Sequence, residues 1–256
     1  MGTASGSKIL TDYILDQSKN KAGKRLIVLI VKGILAGIYI AIGAIASLKL
    51  SANVASPGLG DFLGAAVFPL GIIAVLILQA ELFTSDCMVM TAVYARQSKI
   101  LKTFKFLLLI LISNLAGGIF MAFLTRTSGI FNEATAQLVI EKAIHKVNMP
   151  FGTLLSSAIL CNIIVCTGIC LAYTCKDEIA KIAVLWLSIA VFVLSGTEHV
   201  VANMFYLFAG LFFGGAVPAA GILYNLGIAA IGNFIGGGII VAGLNYLLAR
   251  KDVARN

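Results

Sequence analysis

Residues 194–205 read LSGTEHVVANMF, and this stretch decides how the chain must cross its surroundings. It lies inside an apolar run over residues 182–218, which would be about 54 Å long as one helix at ~1.5 Å per residue. A membrane crossing needs only about 20 residues, so the run is too long for one straight crossing. Because Glu198 and His199 lie at its middle, where ionisable groups are costly unless they face a cavity, we predict a helix interrupted at a transport site.

A second apolar run, over residues 62–95, is also too long for one crossing. Its middle reads QAELFTSD over residues 79–86, so it carries two carboxylates at the depth where apolar residues are expected. The second run therefore predicts a second interruption of the same kind.

The composition indicates an all-α polytopic membrane protein. Of the 256 residues 60% are hydrophobic and 12% are charged, and the mean hydropathy is +1.01. The net charge of +8 fits basic cytoplasmic loops. We therefore expect the lipid bilayer as a partner and do not expect nucleic acid. The five cysteines lack CxxC spacing, and we expect them to pack between helices, with no metal ion or other cofactor.

Two domains follow from the polarity of the chain. Residues 1–25 are an N-terminal tail and an amphipathic helix on the membrane surface, and residues 26–256 are a single transmembrane channel domain. Six crossings are predicted, at about 26–48, 62–95, 106–124, 151–173, 182–218 and 222–248, with the longest polar loop at 125–148. Both termini then lie on the side that holds fifteen of the 19 Lys and Arg residues, which predicts a plasma (inner) membrane protein with cytoplasmic termini.

The two halves of the channel domain, about 26–125 and about 150–249, show an internal repeat. Three landmarks recur 117 to 119 positions apart: Gly33 and Gly152, Glu81 and Glu198, Asn114 and Asn233. Each half has three crossings, an odd number, so the second half must enter the membrane upside down. We therefore predict an inverted 3+3 repeat in which interrupted helices 2 and 5 meet at the middle of the membrane.

His199 and Thr84 are the polar residues expected at that meeting point. His199 is able to donate a hydrogen bond or a proton to a small acid anion, or to serve as a structural histidine between helices. Thr84 offers a hydroxyl from the opposite interruption, or caps the half-helix that starts there. Lys146 either draws anions into a vestibule or is a solvated loop charge.

Leu82 and Phe192 flank the interruptions and are either constrictions that strip water from a solute or ordinary packing residues. A carboxylate exposed in the pathway would repel anions, so Glu81 and Glu198 are expected to be structural residues that cap backbone N–H groups or bind loop donors behind the wall. Four asparagines in apolar segments are expected to form hydrogen bonds across helices or to the interruptions: Asn114, Asn162, Asn203 and Asn233. Asn203 is also expected to line the pathway.

The chain resembles the formate/nitrite transporter family. The resemblance lies in residues 80–85 (AELFTS), 196–205 (GTEHVVANMF) and 231–238 (IGNFIGGG), and it extends over essentially the whole chain. It implies an aquaporin-like fold, a homopentamer with one pore per protomer, and passage of small monovalent anions such as formate, nitrite, hydrosulfide, acetate or lactate. Within the family the sequence is most similar to the hydrosulfide channels.

The resemblance also assigns residues. It implies that His199 is the central pore histidine, that Thr84 and Lys146 are its polar partners, and that Leu82 and Phe192 stand at the constrictions. Asp86 has no place in the family pattern, and its role stays open.

Other classes fit the residues less well. An aquaporin-like channel for neutral solutes is the alternative, but the paired Asn-Pro-Ala signature is missing. An intramembrane enzyme would need His199, Glu198 and Cys87 as one reactive set, and no nucleophile motif supports it, so we expect no enzymatic activity. A passive channel and a proton-coupled carrier are both compatible with the sequence.

Overall fold

The computed structural model describes residues 6–253, and it begins with an amphipathic helix, α1 (Gly6–Ala22). This is the helix expected ahead of the first crossing. Most of the predicted tail and the last basic residue, Arg255, lie outside the described residues. The channel domain follows as α2 (Leu26–Ala52), α3 (Pro57–Val67), α4 (Leu70–Ile77), α5 (Phe83–Asp86), a 3₁₀ turn (Cys87–Val89), α6 (Met90–Tyr94) and α7 (Ile100–Thr127).

The second half has α8 (Glu133–Val147), α9 (Phe151–Thr174), α10 (Glu178–Leu194), α11 (Val200–Phe212), α12 (Ala219–Phe234), a π-helical turn (Ile235–Val241) and α13 (Ala242–Val253). Five helical stretches of the described chain are long and apolar enough to cross a membrane: Leu26–Ala52, Pro57–Ile77, Ile100–Thr127, Phe151–Thr174 and Ala219–Arg250. The sixth crossing stays a prediction, because it requires α10 and α11, of 17 and 13 residues, to act together.

Both long apolar runs are interrupted in the structure. Residues 78–82 are not helical and separate α4 from α5, and residues 195–199 separate α10 from α11. Gly196 lies in the left-handed region, with φ of 63°, at the second of these positions. That conformation costs glycine little and strains other residues, which favours the end of α10 at this point.

The polar segment at 125–148 was predicted as a loop, and most of it is the helix α8. Asn132 caps this helix, since its Oδ1 accepts the backbone N–H of Thr135 at 3.0 Å. The Asn132 amide also donates to Asn53 Oδ1 at 2.6 Å, which ties α8 to the end of α2. The first crossing was predicted to end at about residue 48 and the second to begin at about residue 62, but α2 continues past Lys49 and α3 already contains Asp61.

Glycines let α2 pack closely on α7. A Cβ at Gly37 would lie 2.2 Å from the Asn114 carbonyl oxygen, and one at Gly117 would lie 2.2 Å from the Ile34 carbonyl oxygen. Small residues at such crossings are the usual means of close helix packing in membranes. Gly33 packs against Ser113 in the same contact. Its repeat partner Gly152 lies at the start of α9 with no atom within 4 Å of an added Cβ, so the two glycines do not share this packing role.

Substituting Gly117 by alanine should therefore destabilise the protein, although alanine is the better helix former. The added methyl group meets backbone at 2.2 Å, and overpacking of this kind costs about 1–3 kcal/mol. Thermal unfolding of the purified protein should show a lower melting temperature for Gly117→Ala. Gly152→Ala, which adds its methyl group where no atom lies within 4 Å, is the matched control and should not lower it. Equal melting temperatures would contradict the packing argument.

Candidate functional site

Asn114 holds the first interruption in place. Its Oδ1 accepts the backbone N–H of Phe83 at 2.9 Å, and its Nδ2 donates to the carbonyl oxygens of Gly33 at 2.8 Å and Glu81 at 3.0 Å. Asn114 is fully buried. One side chain on α7 thus satisfies backbone groups that the interrupted helix leaves without an internal partner.

Asn233 does the same for the second interruption. Its Oδ1 accepts the backbone N–H of Val200 at 2.9 Å, and its Nδ2 donates to the carbonyl oxygens of Ala158 at 2.7 Å and Glu198 at 2.9 Å. The two asparagines therefore make the same three kinds of hydrogen bond, one in each half of the chain. In this arrangement Ala158, on α9, occupies the place that Gly33 occupies on α2.

His199 and Thr84 contact each other between the two interruptions. His199 is the N-cap of α11, and its Nδ1 accepts the backbone N–H of Ala202 at 3.1 Å. Its Nε2 lies 2.9 Å from Thr84 Oγ1. Because Nδ1 accepts a hydrogen bond, the neutral ring carries its hydrogen on Nε2 and donates to Thr84 Oγ1. The Thr84 hydroxyl keeps its own hydrogen for a second acceptor.

A cavity of about 440 Å³, here called the His199 cavity, opens beside this pair. Phe192 lies against the histidine, with 5.5 Å between ring centroids, and Phe68 packs on Phe192 at 5.8 Å. The polar and charged residues that line this cavity are Ser47, Ser51, Asp61, Glu141, Lys142, His145, Lys146, Thr197, Glu198, His199, Asn203 and Tyr206. Phe192 and His199 are thus neighbours at the buried end of a largely polar chamber.

Glu198 is neutralised within the His199 cavity. Its Oε1 accepts from Lys146 Nζ at 2.6 Å, and its Oε2 accepts from Asn203 Nδ2 at 2.7 Å and Asn225 Nδ2 at 3.4 Å. Of the two kinds of partner expected from the sequence, the glutamate thus binds side-chain donors, one of them Lys146 of the segment predicted as a loop, and not backbone N–H groups. Lys146 is therefore not a solvated loop charge. Asn225 was not predicted as a site residue, because its own sequence segment contains no motif or charge that indicates one.

A second cavity, the Glu81 cavity, has a volume of about 330 Å³ and is lined by Glu81, Lys21 and Lys24. Glu81 binds Lys21 through Oε2 and Lys24 through Oε1, both at 2.7 Å. Asp86 forms an ion pair with the same Lys21, which gives it the place that the sequence left open. Burial would lower the pKa of Lys21, but Asp86 and Glu81 outweigh it and raise this pKa, so the lysine is charged.

Lys21 and Lys24 were missed from the sequence. Lys21 is in the last turn of α1 and Lys24 is in the connection between α1 and α2, about sixty residues before the carboxylates they bind, and no spacing rule predicts such a contact. The signal was the presence of Glu81 and Asp86 in one apolar run, since buried carboxylates require a cationic partner. Both glutamates therefore bind lysine side chains and not backbone N–H groups.

Leu82 and Thr84 line neither of the two cavities, although their neighbours Glu81 and Ser85 line the Glu81 cavity. Leu82 and Thr84 are both fully buried. Asn162 fixes this region, because its Nδ2 donates to the carbonyl oxygens of Thr84 at 3.1 Å and Asn233 at 2.6 Å. Thr84 is thus held against His199, which lines the His199 cavity.

Comparison with known proteins agrees with this geometry. A model of the formate/nitrite transporter family matches residues 8–247. The chain belongs to the formate/nitrite transporter family. It is 36% identical over 196 residues to the uncharacterised transporter YrhG of Bacillus subtilis, which covers 73% of this chain and 72% of the relative. It is 32% identical over 206 residues to the formate channel FocA of Haemophilus influenzae, covering 78% and 72%.

Solved structures of the family have the same fold. An ion channel of this family superimposes with a TM-score of 0.86 at 26% identity, covering 94% of this chain and 98% of that one. A pentameric formate channel with formate bound superimposes with a TM-score of 0.78 at 25% identity, covering 87% and 97%. These relatives are channels and transporters rather than enzymes, and they give no support to the aquaporin-like alternative.

The geometry of this family member also bears on metal binding. Within residues 6–253 there is no group of three or more His, Cys, Asp or Glu side chains arranged to hold a metal ion. The five cysteines are free thiols, and three of them, Cys87, Cys161 and Cys166, are buried. The cationic partners of the carboxylates in the site are lysines.

Replacing Asn233 by alanine should lower the free energy of unfolding by more than the loss of its packing contacts alone would. The variant leaves one buried N–H and two buried carbonyl groups without partners, and each costs about 1–3 kcal/mol. Thermal unfolding should show a large fall in melting temperature. Asn148→Ala is the control, because Asn148 is exposed and its amide donates only within α8, to Ile144. Similar melting temperatures for the two variants would show that the hydrogen bonds of Asn233 do not support the second interruption.

Proposed function

We propose that the chain is a membrane channel for small monovalent anions, with one pathway through each protomer. The pathway runs from the His199 cavity past Phe192, His199, Thr84 and Leu82 to the Glu81 cavity. The observation that supports the proposal is the contact between His199 Nε2 and Thr84 Oγ1, because both groups are able to donate to an anion that separates them beside the His199 cavity. Formate is the first candidate, because FocA and the pentameric relative are described as formate channels.

The charges of the pathway support an anion. Both glutamates are bound to lysines, so neither presents an uncompensated negative charge to a solute. In the lining of the His199 cavity Lys146 compensates Glu198, and Lys142 is a further cation beside Asp61 and Glu141. An anion at the centre then accepts from the imidazole and the hydroxyl, while Leu82 and Phe192 strip its water and exclude larger solutes.

The hydrogen bond to Ala202 favours passive conduction. A protonated imidazole carries hydrogen on both nitrogens, so protonation of His199 would set Nδ1–H against the Ala202 N–H. The histidine thus acts as a neutral donor, and the anion crosses without taking its proton. Hydrosulfide is a second candidate solute, because the sequence resembles the hydrosulfide channels, and nitrite is a third.

The same scheme includes the assembly and orientation. We propose six crossings related by an inverted repeat, with Asn114 and Asn233 as equivalent supports, and one channel domain over residues 26–256 preceded by the tail and interfacial helix of residues 1–25. A homopentamer in the plasma membrane follows from the pentameric relative. The excess of basic residues places both termini in the cytoplasm.

Flux into liposomes tests the proposal. Wild-type protein should admit formate, nitrite or hydrosulfide rapidly and glycerol slowly. Thr84→Val keeps the shape of the side chain and removes the hydroxyl, so it should reduce anion flux by about 10-fold, the cost of one hydrogen bond of roughly 1.4 kcal/mol to a charged group. Thr174→Val, at an exposed position outside the cavities, is the control and should leave flux unchanged.

Glycerol uptake without anion uptake would contradict the anion channel. Anion flux that is equal in wild type, Thr84→Val and His199→Ala would contradict the role of the central pair, while leaving the family assignment intact. Uphill accumulation of formate driven by a pH gradient would contradict passive conduction.

Lys142 should make the flux depend on pH in the alkaline range. Burial and the neighbouring Lys146 lower the pKa of Lys142, so it loses its charge at a lower pH than an ordinary lysine. Formate remains ionised throughout, and its uptake should fall as pH rises from about 7 to 10. Lys142→Arg keeps the charge and should flatten that fall, whereas Lys49→Arg, at an exposed position outside the cavity, should not. Identical profiles would exclude Lys142 as a source of the pH dependence.

A further inference from the structure

A third cavity, of about 400 Å³, lies away from the proposed pathway, between α1, α6 and the first turns of α2 and α7. It is called the lysine cavity here. Its lining residues from α1 and α2 include Leu15, Lys19, Leu26 and Leu29, and those from the start of α7 include Lys102, Thr103, Lys105 and Phe106. None of the residues of the proposed central pair lines it.

Positive charge collects on one side of the lysine cavity. Lys19, Lys102 and Lys105 line it, and no Asp or Glu does. Among the described residues none of these three lysines forms an ion pair. Lys21 contributes only its stem, because its ammonium group binds Glu81 and Asp86 on the other side of α1. The cavity therefore has three uncompensated cations.

The backbone at the same place also favours an anion. The helix α7 starts at Ile100, and no side chain caps its N-terminus. Its first turn adds partial positive charge beside Lys102. The hydroxyl groups of Ser98 and Thr103 are engaged within the protein, because Thr103 donates to the Lys99 carbonyl oxygen and Ser98 bonds Thr103 at 3.1 Å.

The opposite side of the lysine cavity is apolar. Leu26, Leu29, Phe106 and Leu109 come from the beginnings of α2 and α7, two of the helices that are long enough to cross the membrane. Leu26 is 62% exposed at this position. The basic and apolar sides thus meet where these helices begin, which is the level of lipid headgroups in a membrane.

We propose that the lysine cavity binds an anionic phospholipid, with its phosphate between Lys19, Lys102 and Lys105 and an acyl chain along Leu26, Leu29 and Phe106. A zwitterionic lipid fits less well, since its ammonium group would face three lysines. Inorganic phosphate would leave the apolar side unused. Basic pockets between helices at the cytoplasmic surface are a known type of site for such headgroups. The inference does not depend on which solute the channel conducts.

Lipid binding to the full-length protein in detergent tests the proposal. Native mass spectrometry and thermal unfolding would compare phosphatidylglycerol, phosphatidylcholine and inorganic phosphate. Phosphatidylglycerol should bind and raise the melting temperature, and the other two should not. The double variant Lys102→Gln, Lys105→Gln should weaken phosphatidylglycerol binding by about 5-fold for each lysine, roughly 25-fold in total.

The matched control is the double variant Lys176→Gln, Arg250→Gln, which removes two charges from exposed positions that do not line the cavity. It should bind phosphatidylglycerol as the wild type does. Equal weakening in both double variants would overturn the proposal in favour of a general charge effect. The proposal would also be overturned if phosphatidylcholine or phosphate alone stabilised the protein as much as phosphatidylglycerol does. It would be overturned as well if no lipid bound to the intact protein, and a neighbouring copy of the chain would then be the better candidate for the cavity.

Discussion

The rest of the structure depends on how the two interruptions satisfy their backbone groups. A helix broken inside a membrane exposes N–H and C=O groups that lipid does not accept, so protein must supply their partners. Asn114 and Asn233 do so with one acceptor and two donor contacts each. With those contacts made, the segments at 78–82 and 195–199 hold Thr84 and His199 in contact, and the site exists.

Charge balance is the second requirement. Three buried carboxylates lie near the site, and each has a lysine partner: Lys21 and Lys24 for Glu81, Lys21 for Asp86, and Lys146 for Glu198. Leaving any of them unpaired would be costly in a buried position and unfavourable to an anion. The segment that comprises α1 and its connection to α2 thereby becomes part of the site, because it provides Lys21 and Lys24, as α8 provides Lys146.

Sequence patterns within one segment predicted most of the features that depend on that segment alone. Run lengths and the carboxylates within them indicated both interruptions, and the 117-residue spacing of Glu81 and Glu198 put Thr84 opposite His199. Contacts between distant segments were not predictable, so Lys21, Lys24 and Asn225 were missed. The sequence left open whether the glutamates cap backbone N–H groups or bind loop donors, because it does not show which distant segment reaches them. Gly33 and Gly152 recur in the sequence but do not share the same packing, and α8 was taken for a loop because of its polarity.

The central claim is that His199 is a neutral donor whose Nδ1 is occupied by the Ala202 N–H. The most direct measurement is nitrogen NMR of ¹⁵N-labelled histidine in the lipid-embedded protein, from about pH 5 to pH 8. Since the chain has two histidines, His145→Gln leaves only the signals of His199. The account predicts a protonated Nε2 and an unprotonated Nδ1 over the whole range. Hydrogen on both nitrogens within that range, or on Nδ1 alone, would contradict it.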